Sequence, residues 1–172
     1  NGAVILGAHC PVEITVFRLM KTDKGMSCNT AKANNNACML DAQDQLGDAA
    51  RGVSVVGEEV SADELAHLAA RRVRGLRVNF VSPQSWGTTT PDMLATLARK
   101  VAEHPACTGW HVQIFAHPEQ LIVLAPQLRT LPVPLVIDHL GRIDPAEGPA
   151  AQAYGVMRGL LARTVIVDGA DG

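Results

Sequence analysis

The chain reads Leu131-Pro-Val-Pro-Leu-Val-Ile-Asp-His-Leu-Gly-Arg142 at the point where a short apolar run meets three polar side chains. The continuous Leu-Val-Ile run is typical of a parallel strand that is covered on both faces. Asp138, His139 and Arg142 follow the run directly, and the glycine between them lets the chain turn. Because ligands bind at the carboxyl ends of parallel strands, this stretch predicts a candidate site. A strand end with solvated His and Arg side chains is the alternative.

Strands and helices alternate along the rest of the chain, which predicts a parallel α/β sheet. Strands are predicted at residues 3–8, 53–56, 75–81, 110–116, 135–137 and 164–168. Helices are predicted at residues 37–46, from a capping box at Ser61 to Arg72, from a capped start at Thr90, from Pro118 to near Pro126, and at 150–162. A doubly wound sheet and part of a (β/α)₈ barrel both fit this alternation, although a complete barrel usually needs about 250 residues.

The overall composition is that of a folded domain without an obvious charged partner. The chain has 172 residues, of which 47% are hydrophobic, and a formal net charge of -2. These values argue against intrinsic disorder. No apolar run reaches the length of about 18 residues that a membrane span requires, and no basic cluster with interleaved aromatic residues indicates nucleic-acid binding. We therefore predict one soluble domain over residues 1–172.

The cysteines and the first residues of the chain bear on its cellular location. The four cysteines, which form no C-x-x-C pair, are Cys10, Cys28, Cys38 and Cys107. They are interpreted as reduced thiols of a cytoplasmic protein, with a disulfide between two of them as the alternative. The chain begins in strand-like sequence without an initiator Met or a signal peptide, which suggests that sequence is missing.

Residues 11–35 are the least regular part of the sequence. They combine proline, glycine and an asparagine run without a sustained period, so they are predicted to be a long loop or an insertion. Connections of this length without secondary structure are uncommon in compact domains. The status of this segment is therefore left open.

Four segments resemble successive strands of the amidohydrolase family that includes 2-pyrone-4,6-dicarboxylate lactonase, namely Arg51–Val56, Val73–Val81, Gly109–Phe115 and Val136–Arg142. The Arg-x-Asn-Phe and Asp-His-x-Gly-Arg motifs carry the resemblance, which covers about residues 36–170 and does not include residues 11–35. It implies a (β/α)₈ TIM-barrel fold, of which this chain supplies the second to seventh strands as an incomplete barrel.

The resemblance also implies a chemistry, which is hydrolysis of a carboxylated lactone by water at the strand ends. His139 matches a catalytic histidine that polarises the lactone carbonyl, and Arg77 and Arg142 match arginines near the substrate carboxylates. Asn79 and Phe115 are further candidate substrate-binding residues. Phe115 stands where the lactonase has tyrosine and many relatives have histidine, so its phenyl ring cannot make their polar contact.

No metal or other cofactor is expected. The chain has neither an H-x-H nor an H-x-x-x-H pair to supply zinc-ligand spacing, and Asn79 replaces a bridging Lys or Glu. The family's first-strand H-x-H motif and its eighth-strand aspartate, the general base, are both absent. A chain without them is expected to be inactive, so the activity is assigned to a full-length parent. Asp138 is expected to orient the neighbouring histidine or a strand-end amide rather than to act as a base.

The expected partner is a small carboxylated lactone, and the expected setting is the degradation of aromatic compounds in the cytoplasm. Neither nucleic acid nor a membrane is expected as a partner. Two alternatives remain open. One is a sugar-lactone isomerase on the same scaffold, and the other is a non-catalytic remnant that binds small carboxylates through its arginines.

Overall fold

Six parallel strands form one sheet in the computed structural model, which describes residues 14–16, 36–81, 89–160 and 164–166. The strands are β1 (Ile14–Val16), β2 (Ala50–Ser54), β3 (Val73–Asn79), β4 (His111–Phe115), β5 (Leu135–Ile137) and β6 (Thr164–Ile166). Their order in the sheet is the order in the sequence, and every neighbouring pair is parallel. A doubly wound sheet reverses its strand order at a switch point, whereas a TIM barrel does not. The fold is therefore α/β of the TIM-barrel type.

Helices connect the strands, as the alternation in the sequence predicts. They are α1 (Ala37–Leu46), α2 (Ala62–Ala70), α3 (Pro91–Glu103), α4 (Pro118–Leu128) and α5 (Gln152–Leu160). The predicted caps are confirmed, because the hydroxyl of Ser61 accepts a hydrogen bond from the Glu64 amide and that of Thr90 accepts one from the Met93 amide, each at 3.1 Å. In the described part of the chain, no helix is long and apolar enough to cross a membrane.

Several element ends lie a few residues from their predicted positions, as in β2 and β3, and two further differences have a physical reason or change an assignment. Helix α4 continues through Pro126 and ends at Leu128, since a proline in the last turn removes only one amide donor. Strand β1 lies within residues 11–35, where the sequence predicts a loop or an insertion. The strand predicted at residues 3–8 lies outside the described residues.

The two faces of the sheet have different roles. One face packs on the helices, where Val112 and Ile114 of β4 join a buried apolar cluster with leucines of α2, α3 and α4. Side chains on the other face, which we call the inner face, alternate with these. The inner-face positions of β3 and β4 pair in register as Gly75 with His111, Arg77 with Gln113, and Asn79 with Phe115. Polar groups therefore line the inner face towards the carboxyl ends of the strands.

Candidate functional site

Three of the predicted site residues surround the ring of a fourth, Phe115, at the carboxyl end of β4. The guanidinium carbon Cζ of Arg77 lies 5.2 Å from the ring centroid, and that of Arg142 lies 5.4 Å from it. The imidazole ring of His139 lies 5.0 Å from the phenyl ring, centroid to centroid, at an interplanar angle of 55°. An aromatic face attracts guanidinium groups at such distances. The structure thus brings together two cations and an imidazole at one strand end.

Asp138 lies between two of these groups. Its carboxylate forms an ion pair with Nη2 of Arg77, and Oδ2 lies 3.5 Å from Nε2 of His139. The side chain of Asp138 is only 5% exposed, whereas those of Arg77 and His139 are 22% and 32% exposed. The other oxygen, Oδ1, accepts a hydrogen bond from the His139 amide at 3.2 Å. The carboxylate thus holds the His139 amide by a hydrogen bond and lies beside the His139 imidazole.

The strand register explains how Arg77 reaches Asp138. Arg77 on β3 pairs with Gln113 on β4, which in turn pairs with Val136 on β5. Asp138 is two residues after Val136 and so lies one step closer to the carboxyl end on the same face. The long arginine side chain therefore crosses β4 beside Phe115 and meets the carboxylate that follows β5.

The turn after β5 has an unusual backbone. His139 and Leu140 both have φ of 49°, Gly141 has φ of 67° and Arg142 has φ of 55°. This left-handed region costs about 1–2 kcal/mol for each residue with a Cβ. Gly141 is also tightly packed, because a Cβ there would lie 2.6 Å from Cδ1 of Leu121. Strain of this kind is concentrated at functional sites, and the turn places His139 and Arg142 on either side of this glycine.

Asn79, the fifth predicted site residue, lies beside Phe115 in the register of β3 and β4. Its carboxamide oxygen accepts a hydrogen bond from the Val81 amide at 2.9 Å. That bond closes a local turn of the type that asparagine often forms two residues along its own backbone. The structure therefore shows a turn-forming contact for Asn79 at the edge of the site.

Gln113 was not predicted to belong to the site. It is fully buried on the inner face beside Arg77, and neither its amide nitrogen nor its amide oxygen has a hydrogen-bond partner. Buried amides are normally paired, so such a group is unusual. The signal in the sequence is the alternation His-x-Gln-x-Phe, which puts three non-aliphatic side chains on one face of β4.

His111, by contrast, packs at the start of β4. Its imidazole lies against Gly75 on β3, where a Cβ would come within 2.6 Å of Nε2. Burial lowers the pKa of His111 from 6.5 to about 4, because desolvation disfavours the charged ring. The imidazole is therefore neutral at pH 7.

Possible metal ligands and thiols are the other titratable side chains of interest. Within residues 36–81 and 89–160, together with the two short edge strands, no three His, Cys, Asp or Glu side chains lie close enough together to hold a metal ion. Cys107 is an unpaired thiol in the core, and burial raises its pKa. Cys10 and Cys28 lie outside the described residues.

Known proteins are similar to this chain in sequence and in fold. The sequence pattern of the family described as amidohydrolase matches residues 9–166. A 2-pyrone-4,6-dicarboxylate hydrolase from Comamonas testosteroni is 34% identical over 125 residues, which are 73% of this chain and 39% of that protein.

Two solved structures share the fold. A candidate 2-pyrone-4,6-dicarboxylic acid hydrolase from Pseudomonas putida matches with a TM-score of 0.64 and 26% identity, over 78% of this chain and 48% of that one. A similarly described hydrolase from Acinetobacter baumannii, with citric acid bound, matches with a TM-score of 0.57 and 28% identity, over 78% and 49%. The chain thus spans half or less of the length of these relatives. On the strength of the match over residues 9–166, the chain belongs to the amidohydrolase family.

Proposed function

We propose that the complete protein hydrolyses a carboxylated lactone of the 2-pyrone-4,6-dicarboxylate type. The observation that carries the proposal is the convergence of Arg77 and Arg142 on the ring of Phe115, beside the imidazole of His139. Paired guanidinium groups suit a ligand with two carboxylates. The names of the relatives point to such a substrate, and citric acid in the Acinetobacter baumannii relative is itself a carboxylate ligand.

The proposed reaction adds water to the lactone carbonyl and breaks the ring C–O bond, which leaves a carboxylate and a hydroxyl group. Arg77 and Arg142 hold the substrate carboxylates, and His139 donates a proton or a hydrogen bond to the oxyanion that develops on the carbonyl oxygen. Asn79 and Phe115 border the substrate, with the phenyl ring contributing apolar contact. Asp138 is not assigned as the general base, because it is buried and paired with Arg77.

We further propose that the reaction needs no metal. Two guanidinium groups and an imidazole supply the positive charge and the hydrogen-bond donors that an electrophilic role requires. A cytoplasmic location is proposed as well, which the unpaired thiol of Cys107 supports. Both statements concern the complete protein.

The test measures hydrolysis of 2-pyrone-4,6-dicarboxylate by the complete purified protein, followed by the loss of pyrone absorbance. A pyrone without carboxylates is the control substrate, and we expect turnover of the dicarboxylate alone. Activity should persist after dialysis against a chelator, with metal content measured in the same sample. Saturable binding of the dicarboxylate without hydrolysis would instead favour a non-catalytic carboxylate-binding protein.

Arg142 is assigned to binding a substrate carboxylate. The substitution Arg142→Gln removes a charged donor from the site, and we expect kcat/KM for the dicarboxylate to fall about 10- to 100-fold, as a charge-assisted hydrogen bond of about 1.5–3 kcal/mol implies. Arg99 lies exposed on α3, so Arg99→Gln is a matched control with unchanged kinetics. Unchanged kinetics of Arg142→Gln itself would remove this residue from the site.

A further inference from the structure

Among the described residues, Asp138 is the one charged side chain that is buried. We propose that Asp138 is a positioning residue, which fixes the Arg77 fork and holds a proton on Nε2 of His139 so that Nδ1 faces the substrate. This proposal rests on the proposed function and extends it, because it assigns each ring nitrogen of His139 a separate role. It also explains why a carboxylate is kept in an otherwise unfavourable place.

Burial argues that Asp138 acts through its neighbours rather than on the substrate. A side chain that is 5% exposed has little surface with which to touch a ligand. An ionised carboxylate removed from water is costly unless it is paired. The guanidinium of Arg77 supplies that pairing, so the charge of each group holds the other in place.

The two carboxylate oxygens of Asp138 have different neighbours. Oδ1 is engaged by the amide of His139, which fixes the orientation of the carboxylate. Oδ2 therefore faces both Nη2 of Arg77 and Nε2 of His139, although neither contact has the geometry of a hydrogen bond. A small rotation of the imidazole would complete a bond from Nε2 to Oδ2, since the two atoms are 3.5 Å apart.

The position of Oδ2 determines where His139 carries its proton. A carboxylate accepts hydrogen bonds and donates none, so it favours the neutral ring form with hydrogen on Nε2. In that form Nδ1 is an acceptor. His139 can then donate from Nδ1 to a lactone carbonyl only when the ring carries both protons, and Nε2 still faces the carboxylate of Asp138 in that form.

The first experiment needs no substitution of Asp138. The complete protein is labelled with ¹⁵N-histidine, the His139 signals are assigned by their loss in His139→Gln, and the ring nitrogens are observed at a pH where the imidazole is neutral. We expect the proton on Nε2 in a single ring form. A proton on Nδ1, or a mixture of the two forms, would overturn the proposal.

The second experiment exchanges the carboxylate for an amide. In Asp138→Asn the amide oxygen is expected to keep the bond from the His139 amide, which leaves the NH₂ group in the position of Oδ2. That group donates to Nε2 and so moves the ring proton to Nδ1, as an amide does opposite a catalytic histidine in serine proteases. We expect kcat/KM to fall about 10- to 100-fold, because the NH₂ group offers no acceptor for a proton on Nε2, so the ring cannot carry both protons while it donates from Nδ1, and because Arg77 loses its anionic partner.

A matched control separates positioning from a merely structural role. Asp44 pairs with Arg71 through Nη2 at 2.6 Å on the exposed side of α1, so Asp44→Asn removes the same kind of ion pair outside the site. Its kinetics and the His139 nitrogen signals should not change. Asp138→Asn with normal kcat/KM, or with reduced stability and an unmoved ring proton, would overturn the positioning role. If the complete wild-type protein hydrolysed no carboxylated lactone, the proposed function would fail. The ring nitrogen of His139 that carries the proton would still show whether Asp138 positions the imidazole.

Discussion

Phe115 gives the candidate site an apolar centre. The family resemblance places it where relatives have tyrosine or histidine, and its phenyl ring lacks their polar atom. In the structure, the ring instead contacts the guanidinium groups of Arg77 and Arg142 and the imidazole of His139. Each cation–π contact of this kind stabilises by about 0.5–1 kcal/mol where it is exposed to solvent. The residue therefore acts as an apolar platform for charged side chains.

His111 gives a pH prediction at the same scale. Its pKa is lowered from 6.5 to about 4 in the folded state, so the unfolded chain binds a proton first as the pH falls. The contribution to stability is complete above about pH 6.5 and is lost as the pH falls towards 4. Between pH 7 and pH 5 we expect the loss to be about 2 kcal/mol.

The measurement is denaturant unfolding of the complete protein at both pH values. His111→Gln is the control, because it keeps a polar side chain of similar length that does not titrate. The wild-type protein should lose about 2 kcal/mol more than His111→Gln between pH 7 and pH 5. Equal losses in the two proteins would show that His111 is protonated without cost in the fold.

At the scale of elements, the close approach of β3 and β4 depends on a glycine. Gly75 pairs with His111 in the register, and the imidazole occupies the space that a side chain at position 75 would need. A Cβ there would meet three ring atoms at 2.6, 2.7 and 2.9 Å. This packing holds β3 and β4 together near their amino-terminal ends, on the same inner face that carries Arg77 and Phe115.

Gly75→Ala is therefore expected to destabilise the fold by about 1–3 kcal/mol, the usual cost of overpacking. Gly155 is the matched control, since a Cβ there meets nothing within 4 Å and helix α5 should gain about 0.5–1 kcal/mol from alanine. Free energies of unfolding from denaturant titration give both values. Adding His111→Ala to Gly75→Ala should recover stability, and a double variant with fully additive losses would contradict the steric explanation.

Across the whole molecule, long-range contacts join the successive strand–helix units. Lys100 on α3 donates from Nζ to the carbonyl oxygens of Glu58 at 2.6 Å and Val60 at 2.8 Å, in the loop between β2 and α2. These bonds connect two units that are about 40 residues apart in the sequence. The β2–α2 unit thus gains support from helix α3 as well as from the strand ladder.

Lys100→Met keeps the aliphatic stem and removes both donors, so we expect a loss of about 1–2 kcal/mol in the free energy of unfolding. Arg99→Met on the exposed side of the same helix should change it by less than about 0.5 kcal/mol. Both variants are compared by denaturant titration of the complete protein. Equal effects would show that the two carbonyl contacts do not stabilise the molecule.

Local sequence patterns predict most of the strands and helices, and the family motifs add the fold class. An aliphatic run marks β5, and the hydroxyl groups of Ser61 and Thr90 mark helix starts. These signals are local, because each depends on residues within a few positions. The strand–helix alternation and the family motifs together indicated a TIM-barrel fold, and they also singled out the residues that meet at Phe115.

The contacts between those residues follow from the tertiary structure and not from local sequence patterns. The ion pair between Arg77 and Asp138 and the burial of Gln113 both depend on the register of β3, β4 and β5. Register is set by packing between strands far apart in the sequence, and a shift of one residue would turn every side chain to the other face. For that reason local patterns predict which polar side chains belong to the site, whereas the folded sheet determines that Arg77 and His139 both lie beside the carboxylate of Asp138.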